Sequence, residues 1–319
     1  MISAARLRKA QDRALEARPY AQMLTNVLTS LVSRADVLDP ETGEAMHPLL
    51  VRREERNILL IVVTADKGLA GAFSANILKA AMRFFQTKAE KNVSIAVVGR
   101  KGRDFFRRRF PQAPAEGQER AGRVQVATER VALGNIDYPM VREMAERVIT
   151  AYTEEQIDSV YLIYNEFKSV IAQRVVVDEM LPIEEIGVQD IRMAEERSKE
   201  DIERSAQAAK KAGVAVRPED TSAIDERAAQ FGTAKVDYIY EQSPKELFDS
   251  VLPKYVAAQI FRALLESNAA EHAARMTAME SATNNASDII DSLTLKMNRA
   301  RQASITKEII EIVSGAAAL

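Results

Sequence analysis

Apolar and small residues recur at alternating spacings of three and four along the first 38 residues. The positions are Leu7, Ala10, Ala14, Ala17, Ala21, Leu24, Leu28, Leu31, Ala35 and Leu38. This spacing is that of a coiled-coil seam and predicts one long helix over residues 1–38. Pro19 should remove one backbone hydrogen bond and bend the helix without ending it. The helix is expected to end near Asp39 and Pro40.

The last third of the chain carries the same spacing over a longer distance. Between Pro253 and Gly315 there is no helix breaker. The seam positions are His272, Met276, Met279, Thr283, Ala286, Ile290, Leu293, Met297 and Ala300. As α-helix this stretch would be roughly 90 Å long, against a diameter of roughly 50 Å for a compact chain of this size, so it should project. We predict a helix over residues 245–319 that pairs with residues 1–38 as an antiparallel coiled coil; two unrelated amphipathic helices are the alternative.

The middle of the chain alternates strand-like and helix-like stretches. Buried strands are predicted at 57–64, 93–99, 123–128 and 159–167, with a further strand in 169–183, and helices between them. This alternation indicates a largely parallel, Rossmann-like sheet with an antiparallel edge over residues 56–190. Residues 191–232 are rich in both signs of charge, which predicts an insertion that is an exposed helix or disordered. The fold class is therefore α/β with a long coiled coil.

Composition narrows the function classes. Lys and Arg total 44 against 46 Asp and Glu, so the net charge of −2 gives no general attraction to nucleic acid or anionic membranes. Without Cys and with only His47 and His272, thiolate chemistry is impossible and histidine-built sites are restricted. No apolar run reaches membrane-spanning length and no signal peptide is visible. We expect a cytoplasmic protein, unless a partner holds it against a membrane.

Two motifs suggest binding chemistry. The turn TADKGLAGAFSANI has Gly68 and Gly71 but neither G-x-G-x-x-G nor a terminal G-K-[ST], which favours tight packing over phosphate binding; an α/β enzyme with a site here is one alternative. The run RKGRDFFRRR (100–109) could bind nucleic acid if Phe105 and Phe106 stack on bases, or could be a helix whose aromatics face the sheet. No catalytic constellation, cofactor site or metal site is evident.

The C-terminal end is unusually apolar for a projecting helix. Ile305, Ile309, Ile310, Ile312 and Val313 cover more than one helical face. Just before them lie Arg299, Arg301 and Gln302, which can bind carboxylates through charge-assisted and bidentate hydrogen bonds. An apolar tip with a polar collar indicates that a partner encloses the helix.

The stretch AEHAARMTAMESATNNASDIIDSLTLKMNRARQASITKEIIEIVSGAAAL closely resembles the C-terminal signature of ATP synthase gamma subunits. Further blocks agree in order: SAARLRKAQDR, TADKGLAGAFSANI, VVGRKGRDFF and DYIYEQSPKELFDSVLPKYV. The resemblance covers nearly the whole chain.

The resemblance implies a central rotor shaft without a catalytic site of its own. Its partners would be the alpha and beta subunits of the catalytic hexamer, the epsilon subunit and the membrane c ring, at the cytoplasmic face of the membrane, with no nucleic acid and no cofactor. It implies that Arg299, Arg301 and Gln302 contact the beta subunits, and that Tyr238 and Glu241 lie in a foot region near the epsilon subunit or the ring.

The chain departs from the family pattern at two points. Family members carry about two dozen residues before the stretch that matches SAARLRKAQDR, so we expect the natural product to start upstream of Met1. The charged insertion is also longer than the family leads one to expect. A coiled-coil nucleic-acid-binding or structural protein is the alternative function.

Overall fold

The elements alternate between strand and helix through the middle of the chain. The computed structural model describes residues 2–34, 47–110, 124–131, 133–134, 136–170, 173–183, 190–196, 198–214 and 244–317. In chain order the elements are α1 (Ile2–Arg34), a short 3-10 helix (Pro48–Leu50), β1 (Asn57–Val63), α2 (Phe73–Thr87), β2 (Asn92–Val98), α3 (Arg100–Arg109), β3 (Val124–Val131), α4 (Tyr138–Thr153), β4 (Ser159–Phe167), β5 (Gln173–Leu181), β6 (Asp190–Glu196), α5 (Lys199–Lys211) and α6 (Pro244–Ala317).

The described strands form one sheet in the order β3-β2-β1-β4-β5-β6. Strands β1 to β4 run parallel to one another, whereas β5 pairs antiparallel with β4 and β6 pairs antiparallel with β5. The parallel sheet with an antiparallel edge is the arrangement that the sequence predicts. The order 3-2-1-4 is that of a doubly wound, Rossmann-like sheet.

Alternate residues of the central strands enter two separate cores. The first core lies on one face and contains Ile61, Val63 and Leu162, covered by α4 and by α6 as far as Leu265. The second core lies on the other face and contains Leu60 and Val62, covered by α2 and α3. Because both faces are covered, the central strands are nearly continuous apolar runs, as in NILLIVV of β1.

Helices α1 and α6 pass from one core to the other in opposite chain order. In α1, Leu24, Leu28 and Leu31 belong to the first core, whereas Ala4, Leu7 and Ala10 belong to the second. In α6, residues 248–265 belong to the first core and residues 269–276 to the second. This order is that of two antiparallel helices, as predicted. Pro19 and Pro253 lie inside the helices without ending them.

The seam predicted along the C-terminal helix is covered over only part of its length. Met276 is buried, but every seam position from Thr283 to Ala300 is exposed. The first covered positions of α1, Ala4 and Leu7, share their core with Ala273 and Met276. Beyond that level no described residue covers the seam.

The charged stretch after residue 190 differs from the expected exposed or disordered insertion. Residues Asp190–Glu196 form the edge strand β6. Helix α5 begins at an N-cap, where the Ser198 side chain accepts from the Asp201 amide, and buries Ala208 and Ala209 in the second core. Residues 215–232 lie outside the described residues. The domain boundaries at 38, 56, 190, 232 and 245 stay predictions.

Contacts between residues divide the chain into two units, Met1–Thr277 and Ala278–Leu319. The first contains the sheet, both cores and α1. The second consists, where described, of α6 from Ala278 to Ala317.

Candidate functional site

The second unit is a helix that exposes its apolar side chains. From Ala282 to Ala316 every side chain except that of Asn298 is exposed. The exposed fractions of its large apolar side chains run from 48% for Ile305 to 71% for Ile312. They are Ile289, Ile290, Leu293, Leu295, Met297, Ile305, Ile309, Ile310, Ile312 and Val313. Apolar surface of this extent is characteristic of an interaction site.

The apolar side chains form two stripes on different sides of the helix. At 3.6 residues per turn, Ala282, Ala286, Leu293, Met297 and Ala300 lie within roughly one third of the circumference. Ile305, Ile309 and Ile312 also share one face, but it is rotated by roughly one third of a turn. The upper stripe (residues 282–300) and the tip stripe (residues 305–316) therefore present apolar surface in different directions.

The junction between the upper stripe and the tip stripe carries Arg299, Arg301 and Gln302. All three are exposed. At about 100° per residue, Arg301 and Gln302 point about 100° apart, and Arg299 points nearly opposite to Arg301. These side chains radiate around the helix and do not form one patch. A partner that contacts all three must surround the helix at this level.

The two other residues assigned by resemblance, Tyr238 and Glu241, lie outside the described residues. Their contact with an epsilon subunit or a ring stays a prediction.

The glycine-containing turn at the carboxyl end of β2 serves close packing. Gly99 has a φ of +95°, and a Cβ there would lie 2.0 Å from the Thr64 carbonyl oxygen. The Gly102 amide donates to the Thr64 hydroxyl at 2.9 Å, and that hydroxyl donates to the Val98 carbonyl at 3.0 Å. These two glycines bring the start of α3 against the end of β1. In the turn after β1, a Cβ at Gly68 would meet only the Lys101 Cε, at 4.0 Å, so close packing does not account for that glycine.

Helix α6 holds the turn after β1. The Arg275 guanidinium donates to the Gly68 carbonyl over 3.5 Å and forms an ion pair with Glu271 one helical turn earlier. In doubly wound sheets a ligand crevice forms at the carboxyl ends of the strands where the strand order reverses, here between β1 and β4. The Arg275 side chain of α6 therefore reaches the turn at the edge where a nucleotide would be expected to bind.

The polar groups at this contact have shifted proton affinities. Burial raises the pKa of Glu271, although the ion pair with Arg275 opposes the shift. Burial, reinforced by the positive charges of Arg275 and Arg6, lowers the pKa of His272 to about 4. The imidazole is consequently neutral at neutral pH, and its Nδ1 lies 3.4 Å from the Arg275 guanidinium.

The basic run 100–109 is helix α3, with its central aromatic side chain turned inward. Phe106 is fully buried in the second core, and Phe85 packs edge-on against it with ring centroids 6.1 Å apart. Arg107, Arg108 and Arg109 are exposed. Because Phe106 is not accessible, it cannot stack on a base, and the nucleic-acid interpretation loses its main aromatic contact.

A cavity of about 440 Å³ lies near the amino ends of β1 and β4, and nothing in the sequence pattern predicts it. Within it the Glu55 carboxylate accepts hydrogen bonds from Lys88, Ser159 and Tyr161. Arg192 pairs with Glu179 at 2.7 Å. In each of these two pairs, Lys88 with Glu55 and Arg192 with Glu179, the opposite charges neutralise one another.

Neither a metal site nor a membrane-spanning helix is found in the part of the chain that the structure describes. No group of three or more His, Cys, Asp or Glu side chains there is placed to hold a metal ion. None of the described helices has an 18-residue stretch apolar enough to cross a membrane.

The whole sequence, residues 1–319, matches the ATP synthase family. It is 44% identical over 319 residues to the ATP synthase gamma chain of Solibacter usitatus, covering 100% of this chain and 91% of that protein. The chain belongs to the ATP synthase gamma-chain family. The gamma chain of Heliobacterium modesticaldum is 40% identical over 320 residues, with 100% and 91% covered. Among solved structures, a chain of the Euglena gracilis mitochondrial ATP synthase (OSCP/F1/c-ring) is 18% identical with a TM-score of 0.48, covering 98% of this chain and 94% of that one.

Membership of the gamma-chain family confirms the resemblance drawn from the motifs. The block ARQASIT, residues 300–306, lies on the exposed helix at the change of stripe. The block VVGRKGRDFF is the packed β2–α3 turn. Sequence reasoning missed the contact between Arg275 and the turn at Gly68, because the i,i+4 spacing of Glu271 and Arg275 also fits an exposed helix.

Proposed function

We propose that this gamma chain is the central rotor shaft of a proton-translocating F-type ATP synthase. It couples rotation of a membrane ring to conformational change at the catalytic sites of the beta subunits. It acts as a mechanical subunit of the proton-transporting ATPase and has no catalytic site of its own.

The exposed helix of the second unit is the observation that carries this proposal. The 40-residue helical segment from Ala278 to Ala317 carries two apolar stripes, and exposing them to water is unfavourable unless a partner covers them. Its stripes face different directions, and the collar of Arg299, Arg301 and Gln302 radiates around it. A sleeve formed by alternating alpha and beta subunits would cover all of these surfaces at once. The unequal distribution of apolar surface would also present a different face to each beta subunit.

The body of the protein supports a mechanical role. At the sheet edge that holds nucleotides in other doubly wound folds, the turn after β1 accepts a hydrogen bond from Arg275 of α6. Gly99 and Gly102 of the β2–α3 turn are used for packing against Thr64. A nucleotide site is therefore not needed to explain the glycines of VVGRKGRDFF.

The remaining partners follow from the same proposal. The segment that contains Tyr238 and Glu241 contacts the epsilon subunit or the c ring. The protein lies at the cytoplasmic face of the membrane as a peripheral part of the complex, held there by its partners.

Co-expression with alpha and beta subunits tests the proposal. The intact chain should co-purify with them as a complex that hydrolyses ATP, whereas the isolated chain should not hydrolyse it. Replacing both Arg301 and Gln302 by Ala removes charge-assisted hydrogen bonds that contribute about 1.5–3 kcal/mol each. Assembly or turnover should fall while the thermal unfolding of the isolated chain stays unchanged.

Lys296→Ala is the matched control, because it removes an exposed cation from the same helix outside the collar. It should leave assembly and turnover at the wild-type level. Failure of the intact chain to associate with alpha and beta subunits would overturn the proposed function. Wild-type turnover in the double alanine variant would overturn the role of the collar alone.

A further inference from the structure

Helix α5 lies in the charged stretch after β6, to which the proposed rotor function gives no role. Its two ends are specified by the sequence. At the amino end Ser198 is the N-cap, and at the carboxyl end Gly213 has a φ of +64°. There the Gly213 amide donates to the Lys210 carbonyl at 3.3 Å and the Val214 amide to the Ala209 carbonyl at 2.9 Å, which is the Schellman arrangement. Helix α5 is therefore a defined element with a fixed length.

The buried side of α5 enters the second core, which also takes in the start of α1 and part of α6. Ala208, Ala209 and Val214 of this stretch are all buried there. Small side chains on the three helices allow their axes to approach closely. The predicted pair of α1 and α6 thus has a third helical neighbour in this core. Its members from the pair are Ala4, Leu7, Ala10, Ala269, Ala270, Ala273 and Met276.

Polar contacts join α5 to both of these helices. On α1, the Arg8 guanidinium donates to the Gly213 carbonyl just past the end of α5. On α6, the Thr277 hydroxyl lies 3.4 Å from the hydroxyl of Ser205, a fully buried residue of α5. Ser205 and Gly213 are eight positions apart in the sequence, so roughly 12 Å along α5 separates the two contacts. Helix α5 therefore bridges α1 and α6.

The bridge lies near the ends of the buried segments of both helices. Among the described side chains, Ala4 is the first buried one of α1 and Met276 is the last buried one of α6. Arg8 is one turn from Ala4, and Thr277 follows Met276 directly. The ends of packed helices open most readily, because fewer contacts hold them. A third helix at this level opposes that opening.

The attachment of α5 depends mainly on its buried side chains. Arg8 is exposed, so water competes for its hydrogen bond with the Gly213 carbonyl. Ala208 and Ala209 are closed to water, and a charge placed among them would have no partner. Substitution at these alanines should therefore release α5 from both helices.

We propose that α5 clamps α1 to α6 at this end of the pair, so that the two helices move together when the shaft carries torque. Two helices that are held together resist twisting more than either helix alone. The mechanical part of this inference rests on the proposed rotor function, whereas the attachment of α1 can be measured in the isolated chain.

Hydrogen exchange in the isolated chain tests the attachment. Ala209→Glu places a carboxylate at a fully buried position, which should displace α5. Amide exchange over residues 2–12 of α1 should become about tenfold faster, while exchange in β1 stays at the wild-type rate. The matched control is Gln207→Glu, which introduces the same group at an exposed position of α5 and should change neither rate.

A milder variant covers the case in which Ala209→Glu disturbs the whole core. Arg8→Met with Thr277→Val removes both polar contacts and leaves the buried alanines unchanged. Exchange over residues 2–12 should again become faster than in the wild type, by a smaller factor. Where Ala209→Glu also speeds exchange in β1, this milder variant decides.

Angular fluctuation in the assembled complex tests the mechanical role. The alpha and beta subunits are fixed to a surface, ATP is withheld, and a bead is attached through Arg108→Cys, the single thiol of the chain. The variance of the bead angle should be severalfold larger with Ala209→Glu than with Gln207→Glu, because helices that are no longer clamped twist more easily.

A reversible disulfide distinguishes a permanent clamp from one that must open. Because the two hydroxyls are 3.4 Å apart and the chain has no Cys, Ser205→Cys with Thr277→Cys should form one disulfide. The oxidised membrane-bound complex should hydrolyse ATP and pump protons at the rates of the reduced complex.

Three results would overturn the clamp proposal. The first is wild-type exchange over residues 2–12 in Ala209→Glu, or in the milder variant where that one decides. The second is a wild-type variance of the bead angle despite faster exchange. The third is failure of the disulfide to form, or a severalfold loss of pumping on oxidation that reduction restores. A wild-type complex that hydrolyses ATP while the bead stays still would instead count against the rotor function, so the two failures are distinguishable.

Discussion

Polar substitution along the upper stripe should weaken assembly without affecting the fold. Ile290, Leu293 and Met297 are 61%, 58% and 61% exposed. Changing all three to Gln keeps good helix formers at positions that make little contact within the chain. Because surface substitutions of this kind usually change stability by less than about 0.5 kcal/mol, the thermal unfolding of the isolated chain should not move measurably.

The expected loss of affinity follows from the area that a partner would cover. Full burial of such a side chain contributes about 1.5–3 kcal/mol, and about 60% of each remains to be buried, which leaves about 1–2 kcal/mol per residue. For three residues the loss is about 3–5 kcal/mol, or about 10²- to 10⁴-fold in affinity for the alpha–beta assembly. Self-association of the isolated chain should fall at the same time, since the stripe is also exposed to other copies.

Titration of purified alpha–beta assembly with the chain, followed by ATP hydrolysis, measures this affinity. The control changes Asn284, Asn285 and Ser292 to Gln, with no change in charge; these exposed positions lie more than about 100° around the helix from the centre of the stripe. This control variant should lose much less affinity for the alpha–beta assembly than the stripe variant does. Equal affinities for the stripe variant and the wild type would refute the assignment of the stripe to a partner.

Three further predictions concern the body of the protein. His272 has a folded pKa of about 4 against 6.5 unfolded, so the unfolded state binds more protons between these values and stability is lost as the pH falls through this window. Between pH 7.5 and 5 the full loss would be about 2 kcal/mol, and discounted for partial exposure it is about 1 kcal/mol; His272→Gln should remove it from denaturant titrations at these two pH values. Gly99→Ala should lower the free energy of unfolding by about 3 kcal/mol or more, because Gly99 has a positive φ and its added Cβ would meet the Thr64 carbonyl. Gly134 has open space around it, so Gly134→Ala should leave the thermal midpoint nearly unchanged. Calorimetry should detect no micromolar ATP binding by the isolated chain; binding abolished by Gly68→Ala would contradict our account of the turn.

Regular patterns made the main elements predictable. The three-four spacing of Leu24, Leu28 and Leu31 marks the buried side of α1, because one face of the helix meets a core. The run NILLIVV predicts β1, since a strand covered on both faces needs apolar side chains throughout. These features depend on local sequence alone.

Elements whose burial depends on their neighbours were not predictable. Strand β6 has the sequence DIRMAEE and pairs only at the edge of the sheet. Its many polar side chains do not show the apolar pattern that would predict a strand. Helix α5 enters the second core through Ala208 and Ala209, which carry little apolar signal. The spacing of Arg262 and Glu266 is common on solvated helices, but their side chains are only 25% and 14% exposed because α6 packs against the first core.

Rotation of the chain within its complex tests the central claim most directly. The sequence has no Cys, so Arg108→Cys at an exposed position of α3 introduces a single thiol for a bead. With the alpha and beta subunits fixed to a surface and ATP supplied, the bead should turn in one direction, at a rate that follows ATP hydrolysis. A complex that hydrolyses ATP at the normal rate while the bead stays still would contradict the rotor account.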